Sequence, residues 1–202
     1  MTEAIFGLFG VVLGSGISWF QSYWSDKRET DKKGSYLAIR IVCILDKYIE
    51  ECANVVKDNG LSFGQRTKDG YLYPQVKSPG PPVYPEDVDW KSINHELMFQ
   101  ILTLQTEVEE GDRIINATWD ITGPPDFDEW FIERRFHYSK FGLIAYKLSN
   151  DLSEKYCIKK KIYNDWDPVM DFKEELQMSA LERQLKIDDY RKIVKNIFGY
   201  YI

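Results

Sequence analysis

The sequence has no lysine or arginine before Lys27, and no charge of either sign between Glu3 and Asp26. A cleavable secretory signal carries a positive stretch ahead of its apolar run, so this opening does not read as one and the segment is expected to be retained. Cysteine is scarce: Cys43, Cys52 and Cys157 show neither Cys-x-x-Cys nor paired-His spacing. That excludes a disulfide framework and a zinc site and points to buried, reduced thiols in a reducing cytoplasm.

Histidine is scarcer still, with only His95 and His137, so a His-based acid–base pair would need both. His95 and Glu96 begin a zincin-like pattern, but Phe99 stands where the second zinc histidine would be. Arg134 and Arg135 do not stand at the Arg-x4-6-His spacing of a helical nucleotide-binding ribonuclease relative to His137. A structural role is expected for each histidine. No Gly-rich phosphate loop ending in Lys-Ser or Lys-Thr occurs, and no Gly-x-Ser-x-Gly elbow, which removes the usual warrants for nucleotide and serine hydrolysis. Asp126, Asp128 and Glu129, and Asp165 with Asp167, sit at predicted helix starts, where capping and the helix dipole favour acids without any metal. No enzyme activity, cofactor or metal is therefore expected. The net charge of −6 gives no bulk affinity for nucleic acid.

What the chain does have is an apolar run, Ala4 to Trp24, which as a helix at 1.5 Å per residue spans roughly 31 Å, the thickness of a hydrocarbon core. Lys27, Arg28, Lys32 and Lys33 follow it and nothing basic precedes it, so the remainder is expected on the cytoplasmic side. Trp19, Phe20, Tyr23 and Trp24 gather at the same end, as aromatics do at a membrane interface. At about 100° per residue, Glu3, Gly7, Gly10, Gly14, Ser18, Gln21, Ser25 and Arg28 fall in one arc of roughly 80° that holds no large apolar side chain. Gly10 and Gly14 form a Gly-x-x-x-Gly, and Gln21 offers an interhelical hydrogen bond, so the stripe reads as a packing seam or as the lining of a pore.

Beyond a polar neck, Leu37, Ile41, Ile44, Tyr48, Cys52 and Val55 recur at intervals of three and four and predict a helix over 35–57. The neck holds no helix breaker before Gly34, so this helix can continue the first as a stiff stalk. Residues 58–88 form a long loop rich in Gly and Pro, with a small hairpin predicted around Asp69-Gly70. Residues 89–202 predict a helical bundle: a helix from Asp89 or Trp90 through Ile101, another over 108–122, a long one over 126–155, one from Pro168 to about Leu185, and a short one over 188–198. The fold class is thus mostly all-α: a single amino-terminal transmembrane helix (1–25) and a cytoplasmic helical domain (26–202).

Two basic groups remain: Arg134, Arg135 and Lys140 along one helix, and Lys159, Lys160 and Lys161 near Tyr156 and Tyr163. Basic residues among aromatics can hold phosphates and stack bases, so a nucleotide or oligonucleotide signal is one candidate ligand, against a solvated face or a patch on anionic lipid.

The run Gly34-Ser35-Tyr36-Leu37-Ala38-Ile39-Arg40, with Leu45-Asp46-Lys47-Tyr48 and Cys52, Asp89 to Ile93 and Gly123-Pro124-Pro125-Asp126, resembles a family of bacterial proteins with one amino-terminal membrane helix. The likeness covers most of residues 1–175 and implies an inner-membrane setting without assigning an activity. In layout the chain is also similar to small membrane effectors of antiphage systems. The reading that results is a homo-oligomeric effector whose amino-terminal helices form a pore or ion channel under control of the cytoplasmic domain. Its partners are lipid, further copies of itself and a regulatory protein. The alternative is a non-enzymatic adaptor tethered to the membrane.

Overall fold

The computed structural model describes the backbone of residues 2–163 and 166–198, and the side chains of 16–163 and 166–195. Among these residues the chain is all-α. Four helices, α1 (Thr2–Val56), α2 (His95–Ile121), α3 (Asp128–Lys155) and α4 (Pro168–Phe198), are accompanied by a 3-10 turn at Trp90–Ser92 and by no strand.

α3 is the axis of the domain and packs against all three other helices. Ser149 bonds Asp46 and Arg134 bonds Asp58, so α1 runs antiparallel to α3. Gly111 of α2 sits on Phe141, and Trp119 packs on Trp130. Arg183 of α4 meets Glu133, and Lys186 meets Glu129. The core is built from the 3-4 stripes of these helices: Leu37, Ile41, Leu45, Ile49 and Cys52 from α1; Ile101, Leu104 and Val108 from α2; Tyr138, Phe141, Leu148 and Leu152 from α3; Phe172 from α4. Full burial of each large aliphatic side chain contributes about 1.5–3 kcal/mol. Two glycines let backbones come close. A Cβ on Gly111 would lie 2.4 Å from the Phe141 ring, and one on Gly142 would lie 2.3 Å from Phe172.

Several predicted boundaries shift for identifiable reasons. The stalk helix and the amino-terminal helix are one unbroken α1. The helix expected from Asp89 begins only at His95, because Asn94 Oδ1 caps the Glu96 and Leu97 amides while Asp89 caps the separate 3-10 turn. The helices expected over 90–101 and 108–122 are a single α2, since Ile101, Leu104, Val108, Gly111 and Ile115 form one buried stripe across the supposed gap. The break expected near residue 186 is likewise absent from α4.

The hairpin is a turn and nothing more. Thr67 and Tyr71 bond across Gly70, whose φ is +80°. The amides that would extend the pairing go elsewhere, Leu72 to the Pro125 carbonyl and Tyr73 to that of Gly60. Of the three cysteines, Cys52 is buried and Cys43 and Cys157 are exposed, because only Cys52 falls on the core stripe of its helix. Among the described residues no helix is long and apolar enough to cross a membrane. The expected span lies in part on residues 4–15, outside the described side chains.

Candidate functional site

α1 is two things along its length. From Gly34 onward it belongs to the domain core; residues 16–33 are exposed throughout and stand clear of the domain. This projecting half carries Ile17, Trp19, Phe20, Tyr23 and Trp24, each more than half exposed. The aromatics form two pairs one helical turn apart, Trp19 on Tyr23 at 6.0 Å and Phe20 on Trp24 at 5.8 Å. Ser18, Gln21, Ser25 and Arg28 are exposed as well. The rest of the expected stripe, Glu3, Gly7, Gly10 and Gly14, lies outside the described side chains. Nearer the domain Glu29 and Lys33 pair at 2.8 Å, a hydrogen bond and charge that hold the Glu29 carboxyl below its ordinary value.

The junction is tight. A Cβ on Gly34 would lie 2.5 Å from the Ser92 carbonyl oxygen and 3.2 Å from the Tyr156 ring. Six residues further on, Arg40 bonds Asp87 at 3.0 Å. The start of the core half is thereby held against the 3-10 turn, the end of the long loop and the end of α3.

At its other end α1 passes into the loop through a buried clasp. Asp58 Oδ1 accepts the Gly60 N–H at 3.0 Å; Oδ2 accepts the Gln75 and Val76 amides and Arg134 Nη1, each at 2.9 Å. Arg134 Nε donates to Ser78 Oγ at 3.1 Å, and Nη2 donates to the Val76 carbonyl. Both side chains of the pair are 1% exposed. Burial by itself raises the Asp58 carboxyl, but the Val76 amide, the Arg134 guanidinium and the Gly60 amide together outweigh it and leave it below its ordinary value.

A turn along α3, the Tyr138 oxygen lies 2.8 Å from both the Pro79 carbonyl and Asp112 Oδ1. One hydroxyl proton serves one of the two. Burial raises the Asp112 carboxyl from its ordinary value, and the Tyr138 hydrogen bond offsets part of that rise. Gln105 holds the Pro82 carbonyl at 2.7 Å. The Pro-rich loop is therefore a strap fastened to α2 and α3. Between it and α1 runs an open groove of about 550 Å³, lined by Tyr48, Glu51 and Lys47 on one side and by Val76 to Val83 on the other.

The basic residues singled out in the sequence do not make one patch. Arg134 is inside the clasp. Arg135 pairs with Glu175 at 3.2 Å and Glu182 at 3.3 Å, Lys140 with Glu107 at 3.0 Å, Lys160 with Glu154 at 2.7 Å, and Lys161 with Glu50. Lys159 is exposed. From Lys140 to the end of α3 is a further ~22 Å of helix, which separates the two groups.

The histidines are apart as well. His137 packs on Gly111, while His95 opens α2 sixteen residues earlier, roughly 24 Å along the helix. His137 Nε2 lies 3.5 Å from Glu133, which also holds Arg183 at 2.7 Å. Burial pushes the Glu133 carboxyl up, and those two neighbours bring it below its ordinary value. Asp126 pairs with Arg66, Glu129 with Lys186 at 2.6 Å, and Asp167 caps Val169 at 3.0 Å; Asp165 lies outside the described residues. Among the described residues no group of three or more His, Cys, Asp or Glu side chains is placed to hold a metal ion.

Sequence reasoning missed the clasp, because Arg134 and Asp58 are 76 positions apart. It also passed over the spacing of Met178, Leu181 and Leu185, a visible 3-4 pattern on the open side of α4. No protein-family model, curated protein or solved structure matches the chain.

Proposed function

We propose that this chain is a membrane-attached effector of the bacterial inner membrane. The outer half of α1 enters the bilayer, copies of α1 assemble along the Glu3-to-Arg28 stripe into a pore or ion channel, and the cytoplasmic domain controls that assembly, in a role such as antiphage defence. The observation that carries this reading is the continuity of α1. One helix without a break is packed in the domain core over 37–56 and stands free over 16–33. A helix clamped at Gly34 transmits a tilt or rotation of the domain to its free half, because α1 runs unbroken and without proline through the junction.

The exposed aromatics support the bilayer as the environment of the free half. Trp and Tyr place an apolar body in lipid and a polar edge in the headgroups, and Lys27, Arg28, Lys32 and Lys33 follow where anionic headgroups would lie. A nucleotide trigger draws no support from the basic side chains, since most of them are engaged with carboxylates. Control by a protein partner is the simpler form of the proposal.

Full-length protein in vesicles of anionic lipid should release an encapsulated dye. Gly10→Leu together with Gly14→Leu should abolish the release without detaching the protein. Release that persists unchanged in this variant would sink the pore reading. The groove beside the Pro-rich strap favours a second reading, an adaptor that holds an extended peptide segment between Tyr48 and the strap. In that case an unrelated membrane helix should replace residues 1–25 with full retention of function.

A further inference from the structure

The outer face of α4 carries apolar side chains that the domain leaves largely uncovered, Leu185 among them at the rim of a groove it shares with Phe131 and Ile132 of α3. Met178, Leu181 and Leu185 are 58%, 62% and 56% exposed, although they follow one another at three- and four-residue intervals. Continued at the same spacing, this line reads Glu174, Met178, Leu181, Leu185, Asp188 and Lys192, while Asp171, one step before it, is held inside the molecule by Lys57 and Trp166. It is a heptad seam whose middle is apolar, whose amino-terminal end is acidic and whose carboxy-terminal end is basic.

The geometry points to a second copy of this chain as the occupant of that seam: α4 pairs with α4 of another molecule, antiparallel, about a two-fold axis near Arg183. In that register Leu181 packs on Leu185 of the partner subunit and the converse, and Glu174 lies opposite Lys192 of the partner subunit at both ends. Between these layers Met178 meets Asp188 of the partner subunit, a carboxylate already engaged with Gln184 and Arg191 of its own helix. A parallel pair would set acid against acid and base against base. The charge order along the seam therefore selects the antiparallel arrangement, and a two-fold axis makes each favourable contact occur twice.

The contacts inside one molecule agree with this. Glu175, Glu182, Arg183 and Lys186 hold α4 to α3, and these contacts leave Met178 and Leu181 outside them. Glu182 flanks the two-fold axis and would face its own copy, but its charge is already shared with Arg135 at 3.3 Å. Lys192 reaches back to Asp189 at 3.0 Å, an exposed pair that is readily exchanged for Glu174 of the partner subunit.

The pairing has a consequence for α1. Both α1 and α4 run antiparallel to α3, so α1 leaves the domain at the end away from the tail of α4. The two-fold axis then sends the two α1 helices in opposite directions, and a molecule paired through α4 cannot lay its α1 beside its partner's in one bilayer. The α4 pair is a form of the protein distinct from any assembly through α1, and it stands whether or not α1 forms a pore.

The test is sedimentation equilibrium of the full chain in detergent, over a range of concentrations, with every protein also prepared carrying Gly10→Leu and Gly14→Leu to remove association through α1. The Gly-substituted protein should be a dimer, and adding Leu181→Lys should make it a monomer that still unfolds cooperatively with the same helical circular dichroism. Glu174→Lys or Lys192→Glu alone should raise the dissociation constant about tenfold or more, and the two together should restore it, because each single change creates two like-charge contacts and the double change reverses both. A monomer at all concentrations, or a dimer that survives Leu181→Lys, overturns the proposal. Single charge changes without effect overturn the antiparallel register. Dye release by the otherwise unchanged chain is a separate readout, so failure of the α4 pair and failure of the pore reading are told apart.

Discussion

Arg134 and Asp58 show what a buried charge pair does in a small helical domain. Neither contributes as an isolated interaction; together they tie α1, α3 and three residues of the strap, Gln75, Val76 and Ser78, into one hydrogen-bonded unit. Arg134→Met leaves the Asp58 charge buried with only amides to stabilise it and should cost about 3–5 kcal/mol, read as a lowered urea midpoint at neutral pH. Asp58→Asn in the same molecule should recover part of the loss, since no charge is then stranded. The pH dependence follows from the depressed Asp58 carboxyl. Its stabilisation is fully present above the unfolded-state value of about 3.9 and is lost as the pH falls through the lower folded-state value. Urea midpoints of the unsubstituted protein should therefore fall on acidification below about pH 4 more steeply than those of Asp58→Asn, in which this group does not titrate.

At the scale of the element, α1 is packed in the core over one half and exposed over the other. Glycine disfavours a helix by about 1 kcal/mol relative to alanine, so Gly34 within α1 has a positive reason to be there, and the reason is the Ser92 carbonyl that a Cβ would strike. Gly34→Ala should lower the melting temperature despite its better helix propensity, with a cost of about 1–3 kcal/mol from overpacking against backbone. Gly16→Ala is the control. Nothing lies within 4 Å of its Cβ, so the melting of the domain should not change. α2 depends on its cap: Asn94→Ala removes the acceptor for the Glu96 and Leu97 amides and should destabilise by about 1 kcal/mol in the same assay.

In the whole molecule, the two exposed apolar features lie at different places on one rigid frame. The projecting half of α1 leaves one end of α3, and the open seam of α4 lies along the outside. If both proposals hold, pairing through α4 and co-assembly of α1 compete for the same molecules. Leu181→Lys, which removes the α4 pair, should then bring dye release to lower protein concentration than the unsubstituted chain needs for the same release. Parallel titrations of release against protein concentration would measure this.

Periodicity in the sequence determined the helical class, the inward faces of α1, α2 and α3, and the position of the long loop, because a 3-4 stripe needs no knowledge of its partner. Leu37 to Val55 and Phe141 to Leu152 are buried as their spacing predicts. Lengths were less legible. A helix continues wherever its stripe still finds a core, and α2 crosses residues 102–107 for that reason alone. The candidate sites divide along the same line. Composition located the exposed aromatics and basic residues at the root of α1, whereas Arg134 looked like a surface cation and is the most enclosed charge in the middle of the fold. That difference could come only from the tertiary structure: the fate of a charged side chain is decided by what stands opposite it, and Asp58, Glu133 and Glu182 reach their partners across 47 to 76 residues of chain through contacts that no local pattern encodes.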